Sequence, residues 1–362
     1  WCNLSLVSFH NAALVNAHCP LLLLMLWCGT TSASPYQVAT HDETVQVGSR
    51  SLVSRIYYPT TETAKPQLIG ANPVFTGIES QPDAPAASGH FPLIVISHGS
   101  GGNNASQAWL AAALTQQGAI VMAANHPGST TGNSVPALSA ELWLQTSDIS
   151  ALISAVTTDP RWKPMLNPQA IGVIGHSKGG YSTIAAIGGK VRLSDFIDGC
   201  RQAPQSPNCQ FYTQANVALT KLSARAFDAD YTDPRIRFAV ALDPGMVPYL
   251  LPTSLRRLSA PLLIVEPQHF LPDGQEPGLG GATLAADNGK QPIHALRLSS
   301  GNHFDFLPVC QPKGRQILAS EEDDGAVLCA SSSEQREAVH RQTLAAIMAF
   351  IHPWLPALAG NR

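Results

Sequence analysis

The stretch at residues 170–187 constrains the fold of this chain more than any other. An apolar run, Ala-Ile-Gly-Val-Ile, leads into Gly-His-Ser-Lys-Gly at 175–179 and then into a small-residue segment at 181–187. A strand, a sharp turn at a serine and a helix, in that order, are typical of a nucleophile elbow. The outer glycines of the motif avoid contact with the neighbouring strand and helix. We therefore predict that Ser177 is a nucleophile; the alternative is an ordinary Gly/Ser-rich turn.

Short apolar strands alternate with helices along most of the chain. The predicted strands are 92–97, 119–124, 170–174, 237–242, 261–265 and 293–298, and the predicted helices include 106–117, 138–157 and the closing segment after 331. This alternation predicts an α/β fold with a mostly parallel central sheet and helices on both faces. Upstream, an antiparallel edge hairpin is expected at 44–58 and a long surface loop at 59–90.

Residues 188–235 interrupt the alternation and are interpreted as an inserted cap or side loop within a single domain at 34–362. Downstream of residue 34 the chain has four cysteines, which allow three pairings. The two local pairings close short loops, so Cys200–Cys209 and Cys310–Cys329 is the preferred connectivity. The alternative, four buried free thiols, is less compatible with an exported protein.

The N-terminal residues predict export. An apolar core of about eight residues at 20–27 is followed by small residues at 29–34, like the apolar and cleavage regions of a signal peptide. It is too short to span a bilayer, which needs about 20 residues. We predict that 1–33 is a signal peptide with upstream sequence and that the protein is periplasmic or secreted. The net charge of −3, with no extended basic run, argues against a nucleic-acid partner.

A serine nucleophile needs a base and an acid. His303 follows the last predicted strand in a Gly-Asn-His turn, after the serine in chain order, as this kind of site requires. Asp243 ends the strand after the elbow helix and is the favoured acid. Glu266 and Asp273 follow the next strand and are alternatives, because a strand-end Asp before Pro-Gly can simply organise a turn.

An oxyanion hole needs two backbone N–H groups. Lys178, directly after the serine and at the start of a helix, is the first candidate. Ser100, in the glycine-rich turn 98–102 after a predicted strand, is the second. The alternative for this turn is a simple helix-leading loop. No Cys or His spacing predicts a zinc site, and neither a metal nor a cofactor is expected.

Four segments together resemble the platelet-activating factor acetylhydrolase family and its bacterial relatives among dienelactone-hydrolase-like esterases, within the α/β-hydrolase superfamily. The segments are His-Gly-Ser-Gly at 98–101, Gly-His-Ser-Lys-Gly-Gly at 175–180, Ala-Leu-Asp-Pro-Gly-Met-Val-Pro at 241–248 and Gly-Asn-His-Phe-Asp-Phe at 301–306. The resemblance covers about residues 43–352. It implies an α/β-hydrolase fold with Ser177 as nucleophile, His303 as base and Asp243 as acid, and with Ser100 and Lys178 as amide donors.

Two departures from that pattern affect the expected activity. The insertion at 188–235 lengthens the separation between Ser177 and Asp243, and dienelactone hydrolases proper use a cysteine nucleophile. We predict a serine carboxylic-ester hydrolase that acts through an acyl-enzyme on short-chain or small esters. The alternatives are a lipase, a polyester hydrolase, a phospholipid acetylhydrolase or a peptidase. A non-catalytic binding protein of the same fold is the remaining alternative.

Overall fold

A ten-stranded mixed sheet forms the centre of the described part of the chain. The computed structural model describes residues 36–272, 274, 278–286, 289–321 and 325–355. The predicted signal peptide at 1–33 lies outside the described residues. In the described ranges, no helix is long and apolar enough to cross a membrane.

The sheet has the strand order β12-β11-β10-β9-β5-β6-β2-β1-β4-β3. The strands are β1 (Gln37–Val47), β2 (Arg50–Thr60), β3 (Gln67–Ile69), β4 (Ile78–Pro82), β5 (Phe91–Ser97), β6 (Ile120–Ala124), β7 (Ser129–Thr130), β8 (Asn133–Ser134), β9 (Leu166–His176), β10 (Phe238–Leu242), β11 (Leu262–Glu266) and β12 (Ile293–Arg297). The six strands from β12 to β6 in this order are parallel to one another. The mostly parallel sheet predicted from the sequence is therefore present. Strands β7 and β8 form a separate small hairpin.

Helices follow most of the parallel strands. They are α1 (Ala108–Gln116), α2 (Pro136–Ser139), α3 (Leu142–Thr158), α4 (Lys178–Ala186), α5 (Leu193–Gln202), α6 (Gln210–Gln214), α7 (Ala224–Phe227), α8 (Pro252–Leu255), α9 (Gly314–Glu321) and α10 (Ser333–Ile351). Helices α3 and α4 contribute to one apolar core, and α1 and α10 contribute to another.

Strand β5 shows why the parallel strands are continuously apolar. All seven of its residues are buried. Leu93 and Val95 belong to the core that includes α3 and α4, whereas Ile94 and Ile96 belong to the core that includes α1 and α10. Because successive side chains of a strand point to opposite faces, a strand covered on both faces needs apolar residues at every position.

The expected edge hairpin and surface loop are only partly correct. Residues 37–60 form an antiparallel hairpin, but β2 also pairs with β6 and β1 pairs with β4, so the hairpin lies inside the sheet. The expected loop at 59–90 contains β3 and β4, and β3 is the edge strand. These strands are short and partly polar, and they are held by pairing with distant residues, such as Ala39 with Gln81. A local sequence pattern carries no signal for such pairing.

Residues 188–235, interpreted from the sequence as an inserted cap or side loop, contain the helices α5, α6 and α7. A disulfide joins Cys200 in α5 to Cys209, directly before α6. A second disulfide joins Cys310 to Cys329. Both pairs are those predicted from the sequence.

Candidate active site

Ser177 lies at the sharp turn between β9 and α4. Its backbone has φ +55° and ψ −119°, a conformation that costs energy for any residue with a side chain. Two backbone hydrogen bonds hold it there: the Ser177 N–H donates to the Leu242 carbonyl at 3.0 Å, and the Gly245 N–H donates to the Ser177 carbonyl at 2.9 Å. The Ser177 side chain is partly exposed. The turn therefore presents the hydroxyl at the carboxyl edge of the sheet, next to the end of β10.

The two outer glycines of the motif are required by packing. A Cβ atom at Gly175 would lie 2.0 Å from the Gly179 carbonyl oxygen, and a Cβ atom at Gly179 would lie 2.0 Å from the Ser97 carbonyl oxygen. Both distances are far inside van der Waals contact. A side chain at Gly175 would therefore push β9 away from α4, and a side chain at Gly179 would push α4 away from the end of β5.

His303 and Asp243 form a short hydrogen bond in a buried setting. His303 Nδ1 lies 2.6 Å from Asp243 Oδ2, and the side chains are 6% and 0% exposed. The other carboxylate oxygen, Oδ1, accepts a hydrogen bond of 2.6 Å from the Leu279 N–H. Because a carboxylate can only accept, Nδ1 carries the proton in the neutral ring and Nε2 presents its lone pair.

The Nε2 atom of His303 has no hydrogen-bond partner among the described residues, and the Ser177 hydroxyl is not hydrogen-bonded to it. Such contacts are often long in hydrolases without substrate and shorten when substrate binds. His303 is nevertheless held against the elbow, because His176 Nε2 donates to the His303 carbonyl at 2.9 Å. Burial and the neighbouring His303 lower the pKa of His176, so that ring is neutral at neutral pH.

The turn that carries His303 is braced by buried polar groups. Asn302 and Asp305 form a capping box around the short 3₁₀ helix His303–Phe306. Asp305 also accepts hydrogen bonds from the Ser331 hydroxyl at 2.9 Å and from Arg336 Nε at 3.3 Å. Burial lowers the pKa of Arg336, with Asp305 acting in the opposite direction. These hydrogen bonds hold the turn, and with it the His303 imidazole, in place.

Glu266, the alternative acid, is occupied elsewhere. It is fully buried and accepts hydrogen bonds from the Gly280 and Ala282 N–H groups at 3.0 and 3.1 Å. Its side-chain partner is Arg297, whose Nη2 lies 3.2 Å from Glu266 Oε2. Asp273, the other alternative, lies outside the described residues. The structure thus brings Asp243 to His303 and gives Glu266 the task of holding the segment 280–282.

The two predicted amide donors flank the serine. A Cβ atom at Gly99 would lie 3.0 Å from the Ser177 Cβ, so the loop that contains Ser100 passes directly beside Ser177. In the described part of the chain, neither the Ser100 N–H nor the Lys178 N–H donates to a protein acceptor. Both groups are therefore available to a bound oxyanion.

The side chain of Lys178 is a feature that the sequence did not reveal. It is 7% exposed, and Nζ donates to the Ser139 carbonyl at 2.6 Å, the Ser139 hydroxyl at 3.0 Å and the Ser129 hydroxyl at 3.1 Å. Burial lowers its pKa to about 7, with Asp148 acting in the opposite direction. A signal was present, because a charged residue in a helix of small residues directly after the elbow has little access to water and needs polar partners.

A second hydrogen-bonded series of serine, histidine and aspartate is buried in the protein interior. His126 Nε2 is 3.1 Å from the Ser97 hydroxyl, and His126 Nδ1 is 3.0 Å from Asp148 Oδ2. Arg50 forms two hydrogen bonds with the same carboxylate, at 2.5 and 3.0 Å. We call Ser97, His126 and Asp148 the buried array. Asp148 lies on the buried face of α3, next to the polar Gln145 and Thr146 and the apolar residues that follow them.

The buried array supports β5 and the loop that follows it. Gln145 Nε2 donates to the Ser97 hydroxyl at 2.9 Å and to the His98 carbonyl at 2.6 Å. His98 Nε2 accepts a hydrogen bond from the His126 N–H at 3.2 Å. Ser97 is fully buried, so this series has a structural role. In the described ranges, no group of three or more His, Cys, Asp or Glu side chains is arranged to hold a metal ion.

Comparisons with known proteins support the fold. No family model matches the chain, and no curated protein matches it. Among solved structures, a ferulic acid esterase from Streptomyces cinnamoneus superposes with a TM-score of 0.55 at 16% identity, over 92% of this chain and 95% of that one. An acylaminoacyl peptidase from Pyrococcus horikoshii gives a TM-score of 0.48 at 13% identity, over 90% of this chain and 43% of the peptidase. A dienelactone hydrolase from Anabaena variabilis gives 0.43 at 14% identity, over 80% and 97% of the two chains.

Proposed function

We propose that this chain, which has the α/β-hydrolase fold, is a serine hydrolase of carboxylic esters. The observation that carries the proposal is the 2.6 Å hydrogen bond between His303 Nδ1 and Asp243 Oδ2, beside a serine in a strained turn. A serine hydroxyl is a weak nucleophile at neutral pH, and an oriented imidazole supplies the base that it needs. The strain at Ser177 is typical of a functional serine.

The proposed reaction proceeds through an acyl-enzyme. His303 Nε2 takes the hydroxyl proton as Ser177 Oγ bonds to the ester carbonyl carbon, and the carbonyl oxygen becomes an oxyanion. The Ser100 and Lys178 N–H groups donate to that oxyanion, and Asp243 stabilises the imidazolium. His303 then gives its proton to the departing alcohol as the ester bond breaks. A water molecule, deprotonated by His303, then attacks the acyl carbon. The bond from that carbon to Ser177 Oγ breaks, the acid leaves, and His303 returns the proton to the serine oxygen.

The surface near the site favours substrates with apolar groups. Among the described residues, six large apolar side chains are exposed, and four of them lie on segments that neighbour the site. Phe211 adjoins Tyr212, whose hydroxyl donates to the Ser139 carbonyl, and Leu271 adjoins Phe270, whose ring centroid lies 4.9 Å from that of His303. Val135 and Leu138 belong to or adjoin α2, which Lys178 holds through Ser139. We call the four the apolar rim: Val135, Leu138, Phe211 and Leu271.

We propose short-chain or small esters as substrates, and the apolar rim supports one further candidate. An exposed apolar margin also suits esters presented at an apolar surface, as in an emulsified lipid or a polyester. A panel of nitrophenyl esters of increasing acyl length, an emulsified triacylglycerol and a polyester film distinguishes the candidates. Small-ester activity predicts the highest kcat/KM on the shortest acyl groups. Higher turnover on emulsion or film would favour the second candidate.

Replacement of the nucleophile tests the proposed chemistry. Ser177→Ala should reduce kcat on a short nitrophenyl ester by about 10⁶-fold, because the acyl-enzyme cannot form. Ser194→Ala, which changes an exposed serine on α5, is the matched control and should keep wild-type turnover. A fluorophosphonate should label the wild type on the peptide that contains Ser177. Retained hydrolysis by Ser177→Ala would contradict the proposal, and a wild type that neither hydrolyses esters nor reacts would favour a binding protein.

We also propose that the protein is exported. Two disulfides in a chain of this size are typical of oxidising compartments, and the apolar segment at 20–27 agrees with a signal peptide. Expression with and without residues 1–33, followed by fractionation of the cells, tests this proposal.

A further inference from the structure

We propose that the Lys178 side chain positions the loop that supplies the second oxyanion donor. We call residues 98–102 the oxyanion loop. The inference rests on the proposed function and extends it, because it assigns a positioning residue to the same site. Lys178 would then serve the oxyanion hole twice, with its backbone N–H as a donor and its ammonium group as the anchor of the other donor.

The ammonium group of Lys178 is surrounded by hydrogen-bond acceptors. A lysine ammonium has three N–H donors. Nζ of Lys178 has three acceptors within 3.1 Å, the hydroxyl and carbonyl of Ser139 and the hydroxyl of Ser129. The Ser129 and Ser139 hydroxyls also lie 3.2 Å apart. The ammonium therefore joins the start of α4 to β7 and to the end of α2.

Hydrogen bonds connect β7 and the residue after it to the oxyanion loop. The Gly101 N–H donates to the Ser129 carbonyl at 3.0 Å. In the other direction, the Thr131 N–H and the Thr130 hydroxyl both donate to the Gly102 carbonyl at 2.9 Å. Residues 129–131 thus hold Gly101 and Gly102 through these hydrogen bonds, and we call residues 129–131 the clamp. Lys178 in turn holds the clamp through its hydrogen bond to the Ser129 hydroxyl.

The two ends of the oxyanion loop are held by different parts of the structure. The His98 end is fixed from below by Gln145 and by the buried array. The Gly101–Gly102 end is fixed by the clamp at 129–131. Ser100 lies between these two supports and is exposed. Loss of the Lys178 anchor would therefore free one side of Ser100, whose N–H must stay within hydrogen-bond distance of the oxyanion.

The energetic scale agrees with a functional role. Burial of an ammonium group costs free energy because the group loses its hydration, and a methionine of similar volume would avoid that cost. Stability alone therefore does not explain a lysine at this position. Charge-assisted hydrogen bonds are about twice as strong as neutral ones, so Lys178 is a stiff anchor in its protonated form. A displacement of about 1 Å at a catalytic group can reduce the rate about 10²-fold. A residue that touches no substrate atom can therefore control turnover.

Three variants of the full chain test the proposal. Lys178→Met removes the ammonium and keeps its volume, and Ser129→Ala removes one acceptor while it leaves the lysine in place. Lys190→Met is the matched control, because its ammonium pairs with Asp230 on the surface at 3.2 Å. For each variant, kcat, KM, the Ki of a trifluoromethyl ketone and the hydrogen exchange of residues 98–104 and 127–131 are measured. The ketone forms a tetrahedral adduct with an oxyanion, so its Ki reports on the oxyanion hole.

We expect Lys178→Met to reduce kcat by about 10–100-fold and to raise the ketone Ki by a similar factor, with KM changed less than about threefold. Ser129→Ala should act in the same direction by about 3–10-fold. Exchange of the Gly101 and Thr131 amides should be faster in both variants, and Lys190→Met should match the wild type.

Several results would overturn the proposal. One is wild-type kcat and ketone Ki in both variants; another is a change in KM alone, which would assign Lys178 to the substrate pocket. If Lys178→Met does not fold, Ser129→Ala decides: an unchanged kcat and unchanged exchange reject the anchor. Hydrogen exchange separates this inference from the proposed function, because it reports on the loop even in a protein that hydrolyses no ester. Wild-type exchange in a folded Lys178→Met variant rejects the anchor independently of activity.

Discussion

At the scale of single residues, two buried carboxylates near the site have different partners. Asp243 faces His303, whereas Glu266 accepts two backbone N–H groups and pairs with Arg297. Gly278 separates them, since a Cβ atom there would lie 2.4 Å from Asp243 Oδ1 and 2.7 Å from Glu266 Cγ. Proximity alone therefore does not distinguish the roles of the two acids, but their hydrogen bonds do.

Paired amide variants test this distinction. Asp243→Asn should reduce kcat by about 10⁴-fold, because an amide in this place favours the wrong tautomer of the imidazole. Asn also tolerates the positive φ of 40° at this position. Glu266→Gln should reduce kcat less than about tenfold, because its remaining carbonyl oxygen still accepts a backbone N–H. Ester hydrolysis and Tm are measured for both variants. A larger loss of kcat in Glu266→Gln would reverse the assignment.

The residues that the sequence predicted share one property, which is a position at the end of a strand. Ser177, Asp243 and His303 could be proposed because the carboxyl ends of parallel strands meet at one edge of the sheet. The anchor role of Lys178 could not be proposed in this way. Of its partners, Ser129 lies in a Gly/Ser/Thr segment with no periodic pattern and Ser139 ends the short helix α2, so their contact with Lys178 depends on tertiary packing.

At the scale of elements, the start of α10 shows how neighbouring residues divide two tasks. The Ser-x-x-Glu pattern at 331–334 is that of a capping box, with Ser331 as the N-cap. In the structure, Ser332 is the N-cap, and its hydroxyl accepts the Gln335 N–H at 3.2 Å. The Ser331 hydroxyl instead donates to Asp305 Oδ2 at 2.9 Å and accepts from Asn302 Nδ2 at 2.8 Å. Consecutive serines fit the cap equally well in sequence, and only the position of Asp305 separates them.

The two serines therefore predict different phenotypes. Ser332→Ala should lower the free energy of unfolding by about 1 kcal/mol and leave kcat unchanged, because it removes only a helix cap. Ser331→Ala should reduce kcat severalfold, because buried Asp305, which braces the turn that carries His303, loses a donor. Denaturant unfolding and ester hydrolysis measure the two effects. Equal effects of both variants on kcat would contradict this division.

At the scale of the whole molecule, buried neutral histidines connect stability to pH. Burial and the neighbouring His126 lower the pKa of His98, and burial lowers the pKa of His340 to about 4. The His340 ring stacks on Trp109 with centroids 3.7 Å apart, and its Nε2 donates to the Leu307 carbonyl at 2.9 Å. Each ring belongs to the packed interior in its uncharged form.

Stability should therefore fall in acid. The folded pKa of His340 lies below its ordinary value of 6.5, so between pH 6.5 and about 4 the unfolded chain binds protons that the folded chain does not. The free energy of unfolding thus decreases as pH falls through this range. Tm measured from pH 7 to pH 4 should decline, and His340→Gln should reduce the slope. His90→Gln, which removes an exposed histidine, is the control and should keep the wild-type slope.

The strands were predictable where the sequence shows an apolar run or a clear alternation, but their order in the sheet was not. Strands β5, β6, β9, β10 and β11 appear in the sequence as apolar runs, and the hairpin of β1 and β2 appears as an alternating pattern. Strand β12, which has only one buried residue, extends the parallel pairing to the sheet edge. Strands β3 and β4 were not predicted, because they are short and partly polar. The pairing of β4 with β1, about 40 positions away in the chain, is stabilised by contacts such as the one between the Thr40 and Ser80 hydroxyls at 2.9 Å.

The buried array has a consequence for the recognition of hydrolases from coordinates. A geometric template of serine, histidine and aspartate in a hydrogen-bonded series would match Ser97, His126 and Asp148, where both links are closed. It would miss Ser177, where one link is open, although that serine is the partly exposed one at φ +55°. On the proposed assignment of Ser177 as nucleophile, solvent access and backbone strain at the serine discriminate better than a complete triad. A template filtered on these two properties would reject Ser97 and keep Ser177.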